Sequence, residues 1–135
     1  MEPGILSIIL GGVSFWILGS LWYSPLLFGK MWQKEMGFSD EDLKGANMPL
    51  IFGLSLVLMI LMSYALAHFI SNDTGIERTF LNGLCYGAFA GAFFGTSTVG
   101  INYLYQRKSI RIFLIDGVYI SLGLAISGGI MMAMN

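Results

Sequence analysis

Charged residues are scarce: Asp, Glu, Lys and Arg make up 11% of the 135 residues, against about 25% in a soluble domain. Mean hydropathy is +0.73, and a soluble chain this short buries too little surface to hide that much apolar material. Cysteine occurs once, as Cys85, which excludes an intrachain disulfide and any thiolate-rich zinc site. Histidine also occurs once, so His68 has no second imidazole with which to hold a metal or haem. One turn after Tyr64, it reads as a headgroup contact. The net charge is −1 with no basic tract, which leaves nothing to grip nucleic acid. Phosphate-binding glycine loops, dinucleotide fingerprints and metalloprotease motifs are absent from the sequence, and no cofactor is expected. No basic segment precedes the first apolar run, so a retained first helix is expected rather than a cleaved signal.

What the chain does contain is long apolar runs. A bilayer core of about 30 Å is crossed by roughly 20 apolar residues. Four stretches qualify, 3–27, 48–70, 79–105 and 110–134. They predict an all-α, polytopic membrane protein whose whole length, 1–135, is a single integral membrane domain. Lys30, Lys34 and Lys44 fall in the first connection, and Arg107, Lys108 and Arg111 flank the third. Arg78 alone marks the second. The positive-inside rule then makes connections one and three cytoplasmic and puts both termini outside. A bacterial inner (cytoplasmic) membrane is the expected location.

Local signals refine the spans. Pro25 cannot donate to the Leu21 carbonyl, so helix one should bend or stop there. Beyond it Phe28, Met31, Trp32 and Met36 oppose Lys30, Gln33, Lys34 and Glu35 at helical spacing. This predicts a short amphipathic interfacial segment, a structural turn or else a lid. Ser39 to Asp42 reads as the start of a further helical turn, and Pro49 suits the first turn of helix two. Thr74 and Glu77 have the spacing of a capping box for helix three.

Helix three repeats glycine every fourth residue, at Gly83, Gly87, Gly91 and Gly95. Helix four carries Gly117, Ser121, Ala125 and Gly129 in the same period, and helix one has Ser7, Gly11 and Gly19. Lipid is as apolar as leucine, so helices join through close backbone approach at such GxxxG-like stripes. The stripes predict packing within the chain or, alternatively, a subunit interface. Helix two has few small residues and is expected to be the most lipid-facing. The methionines and Trp16 read as apolar packing.

One charge interrupts the fourth run: Asp116, in "FLIDGVYIS". Six residues into its helix, it lies about 9 Å along the axis. A carboxylate at that depth faces the bundle interior and needs partners. Candidates at the same level are Asn102 and Thr98 on helix three, Tyr23 and Ser24 at the end of helix one, and Arg111 and Lys30 just below. The carboxylate could pair with Arg111 or Lys30, accept from Asn102 and Tyr23, or be held neutral. An interhelical clamp and a proton- or solute-handling site both fit. An enzyme is not expected, because no second acid, His or nucleophile accompanies Asp116.

Two segments, "WYSPLLFGKMWQKEMGF" and "NYLYQRKSIRIFLIDGVYISLGLAISGGIM", resemble the bacterial membrane-protein family catalogued as domain of unknown function 1761. The resemblance implies a small four-helix membrane protein and supplies no activity. It also implies that Tyr23, Ser24, Pro25, Gly29, Lys30, Trp32, Asn102, Asp116 and Gly117 belong to the family pattern. Two functions follow as expectations. The favoured one is a structural or accessory membrane subunit, a homo-oligomer or part of a larger membrane complex, with lipid as its other partner. The alternative is a small oligomeric channel or transporter for protons or a small solute, using Asp116.

Overall fold

The computed structural model describes residues 4–134, so the expected helix start at Pro3 lies outside the described residues. Six helices follow in order: α1 (Ile5–Trp22), α2 (Gly29–Met36), α3 (Asp40–Lys44), α4 (Met48–Asn72), α5 (Phe80–Tyr105) and α6 (Ile110–Ala133). Among the described residues there is no strand. α1, α4, α5 and α6 are long and apolar enough to cross a membrane. With 18 residues, α1 is about 27 Å long, just enough for the hydrocarbon core.

Helix one stops at Trp22, five residues short of the expected end at Leu27. Pro25 cannot continue the ladder, and the chain turns through Phe28 N–H to Trp22 O (2.9 Å) and Gly29 N–H to Ser24 O (3.0 Å). α2 is the amphipathic segment. It ends at Gly37, whose φ of 76° suits a residue without a Cβ. α3 opens with a capping box between Ser39 and Asp42. The Ser39 backbone N–H, with its hydroxyl, holds the Asp42 carboxyl below the usual carboxylate range. Asn47 and Pro49 open α4.

The Thr74–Glu77 capping box does not form. Residues 73–79 make a turn, in which Asp73 Oδ1 accepts from Gly75 N–H (3.2 Å) and Arg78 donates to the Asp73 carbonyl (3.0 Å). Thr79 is the cap instead, and its hydroxyl accepts from Asn82 N–H at 3.1 Å.

α6 is the hub. Half of its most apolar stretch is buried, against 22% for α1, 17% for α4 and 11% for α5. The α5 glycines lie directly on its backbone. A Cβ at Gly83 would stand 2.1 Å from Gly128 O, one at Gly87 1.9 Å from Leu124 O, and one at Gly91 2.7 Å from the Ser121 Cα. Gly83, Gly87 and Gly91 thus run antiparallel along Gly129, Ala125 and Ser121. The stripe therefore packs within the chain.

The opposite face of α6 meets α1 and α4. Side-chain hydroxyls bond α1 carbonyls here: Ser63 of α4 to Ile8 O (2.8 Å), and Ser127 and Tyr119 of α6 to Gly11 O (2.7 Å) and Phe15 O (3.0 Å). Each carbonyl has a second lone pair to offer. α4, expected to be the most lipid-facing helix, is exposed over most of its length, and α5 likewise buries little beyond its glycine face. A glycine face is narrow, so Phe89, Phe93, Phe94 and Leu81 around it stay exposed. α4 and α5 touch only marginally, and an apolar groove of about 460 Å³ opens between them over Ile120 and Leu124.

Because Gly87 meets backbone, which cannot swing aside, Gly87→Ala should destabilise the protein by about 3 kcal/mol, the upper end for overpacking. Ala92→Leu, on an exposed position, should change stability by less than about 0.5 kcal/mol. Thermal unfolding of both variants in detergent micelles checks the contrast.

Candidate functional site

Asp116 lies in the second turn of α6, and its side chain is buried. The Tyr23 hydroxyl, at the end of α1, donates to Oδ1 at 2.5 Å. The Tyr103 hydroxyl, from α5, donates to Oδ2. Long side chains on a helix lean toward its N-terminus, which lets both tyrosines reach up from the ends of their helices to the level of Asp116. Three helices are joined through one carboxyl group.

Aromatic rings pack around Tyr23 and its neighbour Trp22. The Tyr23 ring stands edge-on to Tyr119 (centroids 5.2 Å, 79°) and to Trp32 of α2 (6.0 Å, 76°). Trp22 donates its indole N–H to Ile115 O at 3.0 Å, beside the acid, and packs on Phe28 at 4.6 Å. α2 is fastened below. Glu35 accepts from the Ser109 hydroxyl at 2.7 Å and lies 3.7 Å from the Arg111 guanidinium. Ser109 in turn accepts from Ile112 N–H and so caps α6. The amphipathic segment is thereby docked under the site.

The candidate residues fare differently. Tyr23 and Asp116 are brought together as expected. Arg111 is not a partner of Asp116: it is exposed and turns to Glu35. Lys30 is exposed on α2 and does not reach the acid. Long basic side chains carry their charge toward water, which draws both away from a buried group. Ser24 bonds its own helix end, at Leu21 O (2.6 Å). Thr98 and Asn102 are both exposed, and Thr98 bonds back to Phe94 O.

The place expected for Asn102 is taken by Tyr103, and the cause is local. α5 is not a uniform α-helix. Between its stretches Phe80–Ala90 and Ser97–Tyr105, residues Gly91–Thr96 form a π turn. A π turn accommodates one extra residue and shifts everything after it by one position. From Gly91 the α period runs to Gly95, Thr98 and Asn102. On α6 Gly95 still meets Ile120, but the face then moves on to Thr96, Gly100 and Tyr103. Thr96 holds the turn, donating to Gly117 O at 2.7 Å with Ser121 Oγ at 2.9 Å. Gly100 lies on the Phe113 ring. Tyr103 and Thr96 were therefore missed because a strict α period was assumed.

The arrangement can lock three helices or hold a proton at one carboxyl group between two phenols. Among the described residues no cation pairs with Asp116, since the one ion pair is Arg111–Glu35.

A family described as "Protein of unknown function (DUF1761)" matches residues 6–132. No curated protein and no solved structure matches the chain.

Asp116→Leu removes the acceptor of two phenols and should cost about 1–3 kcal/mol for each one left unsatisfied in the bundle. Asp116→Asn keeps an acceptor and supplies a donor, so it should lose only about 1 kcal/mol. Tyr103→Phe should destabilise measurably, whereas Asn102→Ala should not. Melting of the four variants in detergent tests the assignment, and equal effects at 102 and 103 would contradict it.

Proposed function

The chain belongs to this family, and we propose that it is a non-enzymatic structural or accessory protein of the membrane. The observation that carries this reading is that Asp116 is closed. Both oxygens are taken by Tyr23 and Tyr103, aromatic rings pack on Tyr23, and α2 is docked beneath. The group acts on the fold rather than on a ligand. The glycine face of α5 is spent on α6. Assembly into a homo-oligomer or a larger membrane complex would therefore use the exposed faces of α4 and α5. The distribution of Lys and Arg supports a cytoplasmic position for α2, α3 and the third connection, with both termini outside. We propose a bacterial inner membrane as its location.

A second reading is proton or small-solute handling at Asp116. It is favoured by one observation, a buried acid with no cation beside it. Against it stands the other half of the bundle, where Phe15, Ser63, Ser127 and Met131 are fully buried in close contact.

Purified protein in proteoliposomes should give no flux of protons, Na⁺ or K⁺ above empty vesicles under an imposed gradient. Flux in the wild type that disappears in a folded Asp116→Asn variant would replace the structural reading with the second one.

A further inference from the structure

The groove between α4 and α5 does not end at Phe69 and Phe94. A second space of about 360 Å³, lined by Phe69, Tyr86, Phe89, Ala90 and Phe94, continues it toward the 73–79 turn. Phe69, Ala90 and Phe94 border both spaces, so the two form one channel along the outside of the bundle. Phe69, Phe89 and Phe94 are each more than half exposed. From Tyr86 to Phe94 the upper space runs about 12 Å along α5, within the roughly 15 Å that one leaflet contributes to the hydrocarbon core. At its head the Tyr86 hydroxyl donates to Phe69 O at 3.2 Å and ties the two helices together.

The turn that joins α4 to α5 lies beyond this head, and it carries Arg78. One arm of the guanidinium, Nη2, donates to the Asp73 carbonyl at 3.0 Å. The other, Nη1, is buried and has no acceptor among the described residues. A buried donor on a charged group is costly to leave unmet. The acids of the turn do not meet it. Asp73 Oδ1 accepts from Gly75 N–H, and among the described residues the one ion pair is Arg111–Glu35. Arg78 is within electrostatic reach of the Tyr86 hydroxyl, which puts the cation near the head of the channel. A tyrosine near the end of a spanning helix marks the depth of the lipid headgroups.

We propose that the α4–α5 channel and Arg78 form a binding site for one phospholipid. An acyl chain lies along Phe69, Phe89, Ala90 and Phe94, and the phosphate accepts from the Arg78 guanidinium, whose planar fork matches phosphate oxygens. Arg78 is only partly buried, so turning its flexible stem brings Nη1 out to the headgroup. Asp73 and Glu77 stand in the same turn, which suits a headgroup with an ammonium beside its phosphate better than a purely anionic one. A second copy of the chain would cover the apolar walls, whereas a phospholipid also supplies the missing acceptor. The inference goes beyond the structural role proposed above and does not depend on Asp116.

The full-length protein, stripped of lipid in detergent, is titrated with dioleoyl phosphatidylethanolamine and followed by native mass spectrometry. One lipid should bind saturably. Dioleoylglycerol, with the same chains and no phosphate, should bind about tenfold more weakly, the equivalent of a lost hydrogen bond to a charged group. Glycerophosphoethanolamine, with the headgroup and no chains, should not compete. Arg78→Gln should weaken phosphatidylethanolamine binding about tenfold on the same grounds, and Arg78→Lys should weaken it less. Ala90→Phe fills the floor common to both parts of the channel and should weaken binding whether or not Arg78→Gln folds. Arg107→Gln, at an exposed cation on the third connection, should leave binding unchanged. Equal binding of dioleoylglycerol would overturn the proposal, as would binding indifferent to either Arg78→Gln or Ala90→Phe. A Cys85→Ser/Phe94→Cys protein that closes mainly to a disulfide-linked dimer in lipid vesicles would also overturn it, by giving the channel to a second copy.

Discussion

A carboxyl group inside a bilayer has to find donors within the protein, because lipid offers none. Asp116 finds two, and they come from different helices. Tyr23 closes α1 and Tyr103 closes α5, so one group on α6 fixes the relative depth and rotation of both neighbours. The aromatic packing follows from the same demand. Tyr23 can reach Asp116 only if helix one ends there, and Pro25 ends it. The chain then doubles back so that Phe28 and Trp32 cover Trp22 and Tyr23. Glu35 completes the closure by tying α2 to the cap of α6.

This demand has to coexist with a second one. α5 lies so close to α6 that glycine hydrogens stand where a Cβ would strike backbone. That contact fixes the upper half of α5 in a four-residue period. Continued strictly, the period would deliver Asn102 to the acid and leave Tyr103 on the lipid side. The π turn reconciles the two. It lets Gly83, Gly87 and Gly91 follow the α6 backbone and then moves the face on by one residue, so that Thr96 and Tyr103 meet Gly117 and Asp116.

The four spans were legible in the sequence because twenty apolar residues with so little charge have few alternatives to a membrane helix. The Pro25 stop, the α2 amphipathic turn and the pairing of the two small-residue stripes were legible for equally local reasons. So was the inward orientation of Asp116, which follows from desolvation alone. Its partners were only half legible. Tyr23 could be placed because it ends a helix at the right depth. Tyr103 could not, since its neighbour Asn102 is the more obvious polar partner and no residue pattern in "GAFFGT" announces a π turn. Arg111 and Lys30 were expected at the acid on charge alone. Their reach to water, and the presence of Glu35 for Arg111, outweigh that attraction. The cap of α5 was misplaced by five residues because Thr74–Glu77 and Thr79 are both plausible starts, and the Asp73–Arg78 turn decides between them.

The central claim is that the π turn delivers Tyr103, and not Asn102, to Asp116. Solid-state NMR in lipid bilayers tests it most directly, through carbon–carbon and carbon–nitrogen correlations from the Asp116 carboxyl carbon. The account predicts cross-peaks from that carbon to the ring carbons bearing the hydroxyls of Tyr23 and Tyr103. The Tyr103 signal should vanish in Tyr103→Phe. A dominant contact from the Asn102 carboxamide nitrogen, with none from Tyr103, would contradict it.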